Sequence, residues 1–138
     1  MLKKTLFAFI LGLSVLPVWA EDMKIKIIVN NQEFTATMQD NTASQELLQM
    51  LPLQLDMTEL NGNEKYHQFS DKKFSTNSHI VKNISNGDLM IFGNNYLVVF
   101  YKNFTQNNYA YTPIGKIDNP KNLPQALGRG NVKVQIKK

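Results

Sequence analysis

Apolar and polar residues alternate along the chain from residue 23 onward. Met23, Ile25, Ile27 and Val29 are spaced by Lys24 and Lys26, the period of two that buries one face of a strand and wets the other. Asn30-Asn31 then reads as a two-residue turn, because Asn is among the few non-glycine residues that accept positive φ. Phe34, Ala36 and Met38 carry the alternation on. Residues 23–38 are therefore expected to form a β-hairpin.

The period changes after Asp40. Thr42 followed three residues later by Gln45 is a capping-box signature, and Ala43, Leu47, Leu48 and Leu51 share one helical face. This predicts a helix over 43–51 whose apolar face packs on a sheet or closes a barrel end. Pro52 stops it, lacking an amide hydrogen and disfavouring helical backbone at the residue before it. Strand-like runs follow at 53–57, 65–69, 88–92, 96–101, 111–117 and 132–136, parted by turn signals such as Asn61-Gly62-Asn63 and Gly93-Asn94-Asn95. The run 97–101 is apolar on both faces, which predicts a strand buried on two sides. A second short helix is predicted over 121–127, between the Pro120 turn and Gly128. About eight strands in one domain indicate a barrel or a sandwich.

The first twenty residues do not belong to this pattern. Lys3 and Lys4 precede an apolar run over 6–18, and Val18-Trp19-Ala20 has the small residues of a signal-peptidase site. The apolar run is short of the roughly 20 residues needed to span a bilayer. Residues 1–20 therefore read as an export signal cleaved after Ala20, with 21–138 as one domain in the periplasm or secreted and no membrane span left. Cleavage takes two lysines from the 15 basic residues and leaves 13 against 11 acidic ones. The remaining lysines are scattered, without the basic face that phosphate neutralisation needs, so nucleic acid is not an expected partner. The absence of cysteine excludes disulfides, thiolate metal sites and thiol nucleophiles.

Four places hold candidate chemistry. The turn Asn61-Gly62-Asn63-Glu64-Lys65-Tyr66 offers amides, a carboxylate, an ammonium and a phenol, enough to orient a polar ligand at a barrel mouth; it equally suits an ordinary turn in which Gly62 supplies positive φ. Phe100, Tyr101, Phe104, Tyr109 and Tyr111 concentrate rings around a polar loop and can line a groove, with at least one of Phe100 and Tyr101 in the core. Arg129, between two glycines, is either an anion clamp or an exposed turn residue. Glu64, His67 and His79 make only a chance-level metal pattern, and the serines lack a nucleophile-elbow context. No cofactor or metal is expected. The candidate ligand-binding set is Asn61, Asn63, Glu64, Tyr66, Tyr101, Tyr111 and Arg129.

Four segments taken together carry a resemblance: DNTASQELLQMLPLQLDM (40–57), LNGNEKY (60–66), NGDLMIFGNNYLVVFYKNF (86–104) and YTPIGKIDNPKNLPQALGRGNVKVQI (111–136). Over nearly all of 23–137 the chain resembles the bacterial cyclophilin-like domain family. The resemblance implies a mainly β fold, a closed eight-stranded barrel with two short helices capping opposite mouths. True cyclophilins use an arginine beside an apolar proline pocket, in a strand motif with Phe and His before the Arg. That motif has no counterpart here, and Arg129 is the only arginine. The reading is thus an exported, non-catalytic binding barrel for a peptide, a small ligand or an exported partner protein. A divergent prolyl isomerase or folding helper is the alternative.

Overall fold

The computed structural model describes residues 23–138, and the expected export signal lies outside the described residues. The elements in chain order are β1 Lys24–Val29, β2 Gln32–Met38, α1 Thr42–Met50, β3 Leu53–Leu60, β4 Glu64–Gln68, β5 His79–Ile80 and β6 Asn83–Ile84. They continue with β7 Asp88–Phe92, β8 Tyr96–Phe100, β9 Phe104–Thr105, β10 Ala110–Ile117, α2 Leu123–Leu127 and β11 Val132–Lys137. The main sheet runs β2-β1-β11-β3-β4-β8-β7-β10, and β2 pairs again with β10, which closes eight antiparallel strands into a barrel. β5 pairs with the start of β10, on the edge that β2 takes further along, and β6 with β9 forms a separate two-stranded sheet.

The hairpin forms as its alternation predicts. β1 and β2 pair from Lys24↔Thr37 to Val29↔Gln32, and Asn30 and Asn31 hold φ of 48° and 66° at the turn. The closing seam pairs Gly115 with Met38. A Cβ at Gly115 would stand 2.9 Å from the Thr37 carbonyl oxygen, so only glycine lets β10 approach β2 this closely.

The barrel interior is one apolar cluster. It takes Ile25 and Ile27 from β1, Phe34 and Ala36 from β2, Leu55 and Met57 from β3, and Leu89, Ile91, Leu97 and Val99 from β7 and β8. β10 and β11 add Ile114, Ile117, Val134 and Ile136. Of the eight barrel strands, β4 alone sends no apolar side chain into this cluster, and its positions on that side are Lys65 and His67. Both helices join the cluster, through Ala43 and Leu47 of α1 and Leu123, Ala126 and Leu127 of α2. On the other face of β7, β8 and β10 lies a second cluster of Met90, Val98, Phe100 and Tyr111, with Tyr66 and Tyr96 against it. β8 is therefore buried on both faces, as its unbroken apolar run predicts. No helix among the described residues is long and apolar enough to cross a membrane.

Two helix boundaries differ from the sequence reading. The cap of α1 is Asn41, not Thr42: its Oδ1 accepts the Ser44 amide at 2.9 Å, and Gln45 turns back to Asp40 instead. Asn41 wins the position because its Nδ2 also donates to the Pro113 carbonyl at 2.9 Å, tying α1 to β10. Asn41→Ala should lower stability by about 1–2 kcal/mol, read as a lower urea midpoint at unchanged slope. α2 is shorter than 121–127, since Lys121 and Asn122 stay in the turn that follows Pro120.

Candidate functional site

A cleft of about 360 Å3 opens on the outer face of the barrel where β4, β7, β8 and β10 meet. Alternation positions its walls. On β4, Glu64 and Tyr66 face outward because Lys65 faces in, and on β8 Tyr96 and Val98 face outward because Leu97 and Val99 fill the interior. Phe92 closes β7, Tyr109 stands just before β10 and Tyr111 at its start, and Leu60 and Asn61 form the rim. The rings pack on one another, Tyr66 and Tyr96 edge to face with centroids 5.7 Å apart and Phe92 and Tyr111 tilted at 54° with centroids 5.5 Å apart. Phe92 and Tyr109 stay exposed, which leaves the cleft open to solvent.

Glu64 is the only charged side chain on this lining. It is 8% exposed, and no hydrogen bond or ion pair reaches its carboxyl among the described residues. Burial, and then the nearby Glu59 carboxylate, push it up to about 7. Burial likewise raises the Tyr111 phenol to about 12, with Glu64 adding to the effect.

A second cleft lies around the β3–β4 turn and the loop after α2, lined by Glu59, Gly62, Tyr101, Pro124, Gln125, Gly128 and Arg129. Beneath it, a fully buried lysine pairs with the partly buried Glu59 of the lining. Lys65, 0% exposed, donates to Glu59 Oε1 at 2.8 Å and to the carbonyls of Gly128 and Gly130 at 2.8 and 2.6 Å. The Tyr101 hydroxyl donates to the same Glu59 oxygen at 2.7 Å, and the Gly62 amide donates to Oε2 at 2.6 Å. Burial works to raise Glu59, but these donors outweigh it and hold the carboxyl below its ordinary value. Burial, then the bond to Glu59, push Tyr101 up to about 12. Arg129 is exposed and pairs with no acid among the described residues.

A family model described as the cyclophilin-like family matches residues 27–137. The chain belongs to the cyclophilin-like family. Among solved structures, McbB in complex with tryptophan is similar with a TM-score of 0.57 and 16% identity, over 83% of this chain and 44% of that one. This chain thus spans under half the length of McbB. The solution structure of the hypothetical protein AF2241 from Archaeoglobus fulgidus is similar with a TM-score of 0.59 and 17% identity, over 83% of this chain and 93% of that one. At these identities the likeness is one of fold. No curated protein matches the sequence.

Within this cyclophilin-like barrel the seven candidate residues divide. Asn61, Glu64, Tyr66 and Tyr111 share the aromatic cleft, whereas Tyr101 and Arg129 line the second one. Asn63 lines neither: its backbone pairs with Tyr101 and Leu60, and its side-chain oxygen is buried without a partner. A single pocket holding all seven is therefore not what the fold builds, because Tyr101, just past the end of β8, packs against the interior cluster with Lys65 over its ring and Glu59 on its hydroxyl, on the opposite side from the outward-facing Tyr66. Lys65 offers no ammonium to a ligand, since its donors are taken inside. Glu64 and His67 point to opposite faces of β4, and among the described residues no three metal-ligating side chains gather. Phe92 and Tyr96 escaped the sequence reading. Their signal was the outward parity of two strands flanking Gly93-Asn94-Asn95, visible only once the inward set is known.

Proposed function

We propose that this chain is exported by residues 1–20 and acts as a non-catalytic binding module, with two helices capping a barrel that holds its ligand on its outer face. The aromatic cleft carries the reading: five rings and one carboxyl surround a solvent-open space of about 360 Å3. Such a lining suits a peptide segment, a small ligand or a projecting side chain of a partner protein. Its single carboxyl has no nucleophile beside it, and His67 faces away. The alternative, a prolyl isomerase, needs a guanidinium beside an apolar pocket, and Arg129 lines the other cleft. A protease-coupled assay on a proline tetrapeptide should give the uncatalysed rate for wild type and for Arg129→Ala alike. A rate above background that falls in Arg129→Ala or Tyr96→Leu would favour the isomerase.

A further inference from the structure

The aromatic cleft holds a carboxyl that no protein group among the described residues answers. Lys65, next to Glu64 in sequence, uses its three donors on Glu59, Gly128 and Gly130 from the inner side of β4. No Lys, Arg or His lines the cleft. Around Glu64 stand ring walls, and an aromatic face attracts a cation through its quadrupole by about 0.5–2 kcal/mol. An anion would meet both the carboxylate and these faces. An uncharged apolar ligand would cover the carboxyl and leave it without a partner, which is unfavourable. A cation with a carbon body satisfies the carboxylate, the rings and the apolar wall together.

We propose that the cleft is a site for an alkylammonium ion, its nitrogen against Glu64 and its carbon chain between Tyr66, Phe92, Tyr96 and Tyr111. The proposal rests on the reading of this cleft as the barrel's binding site. A free amine and a lysine side chain of a peptide share this chemistry. Titratable groups facing Glu64 are Glu59 from β3, Tyr101 beyond β8 and Tyr111 from β10, while Tyr66, Tyr96 and Tyr109 complete the lining. With Tyr101 and Tyr111 raised to about 12 and Glu64 to about 7, binding of the ion draws a proton off Glu64 near neutrality and strengthens as pH rises through that value.

Two-dimensional NMR titrations of the protein at pH 8 with butylammonium, with uncharged 1-pentanol and with N-acetyl-lysine N-methylamide test this. Butylammonium should shift the signals of Glu64, Tyr66, Phe92 and Tyr96 and bind about tenfold more tightly than 1-pentanol. Glu64→Gln should abolish that preference, and Tyr96→Leu should weaken butylammonium severalfold with the remaining spectrum kept. Tighter binding of the lysine derivative than of butylammonium supports the site with a peptide as source, and weaker binding supports it with a free amine. Equal binding of 1-pentanol and butylammonium, or a preference that survives in Glu64→Gln, overturns the cation while keeping the cleft as a binding site. If none of the three probes moves the cleft signals, both readings fall.

Discussion

Lys65→Met is expected to lower the stability of the barrel by about 3–5 kcal/mol, a large share of the roughly 5–15 kcal/mol that holds a domain of this size. Lys65 is fully buried, and its ammonium is the common partner of the Glu59 carboxylate and two loop carbonyls. Methionine fills similar volume but donates nothing, so a partly buried carboxylate and the Gly128 and Gly130 oxygens lose their donor at once. The damage should extend beyond the pair, because Lys65 ties the turn after β3 to the loop between α2 and β11. Urea unfolding followed by circular dichroism reads the loss. Adding Glu59→Gln should recover part of it, since the carboxylate is then no longer uncompensated. A loss under about 1 kcal/mol would show that water reaches this pair freely.

Glu64→Gln is expected to act in the opposite direction. The carboxyl of Glu64 is raised from 4.5 to about 7 in the folded chain, first by burial and then by Glu59. Between these values the folded protein keeps a proton that the unfolded chain has lost. Stability from this group is therefore fully present below about pH 4.5 and is lost as pH rises through about 7. The whole displacement corresponds to roughly 3 kcal/mol, and the cleft's open side reduces it to about 2 kcal/mol. Glu64→Gln should thus be more stable than wild type by about 2 kcal/mol at pH 8 and equal to it at pH 4. Glu46, Asp56, Glu59 and Asp118 are held below their ordinary values, so their stabilisation disappears as pH falls through those lower values, in a separate acidic window. Unfolding curves of both proteins from pH 4 to pH 8 check this, and parallel curves would sink it.

An ionisable group kept without a partner in an aromatic cleft destabilises the unliganded protein above neutrality. If the cleft takes a cation as proposed, that cation would relieve the strain on binding, and the residue that weakens the fold would also be the one that selects the ligand.

Local signals in the sequence were sufficient for most of the fold. Asn30-Asn31 between alternating runs dictates a hairpin, Pro52 ends a helix whose apolar face is set by Ala43 and Leu47, and the unbroken run of β8 demands burial on both sides. Each is a property of neighbours along the chain, governed by backbone conformation and side-chain period. The cap of α1 was misread by one residue because the bond that favours Asn41 crosses to Pro113, far away in sequence.

The candidate site was legible in part, for a reason visible in β4. Its alternation, Glu64-Lys65-Tyr66-His67-Gln68, has no apolar set to name the inward face. On hydrophobicity alone Tyr66 would face the core and Lys65 the water. Tertiary structure reverses this: Glu59 and two carbonyls gathered from the loop after α2 give the ammonium a buried home, and Tyr66 and Glu64 then point outward to meet Phe92, Tyr96 and Tyr111. The sequence by itself determined the eight barrel strands, the two helices to within a residue or two and the supply of rings and carboxyls, because those follow from short-range chemistry; the two-residue strands β5, β6 and β9 are too short to carry a period and were not predicted. Only barrel closure decided which of them share a cleft, since strand parity and cross-strand register are fixed by partners many residues apart.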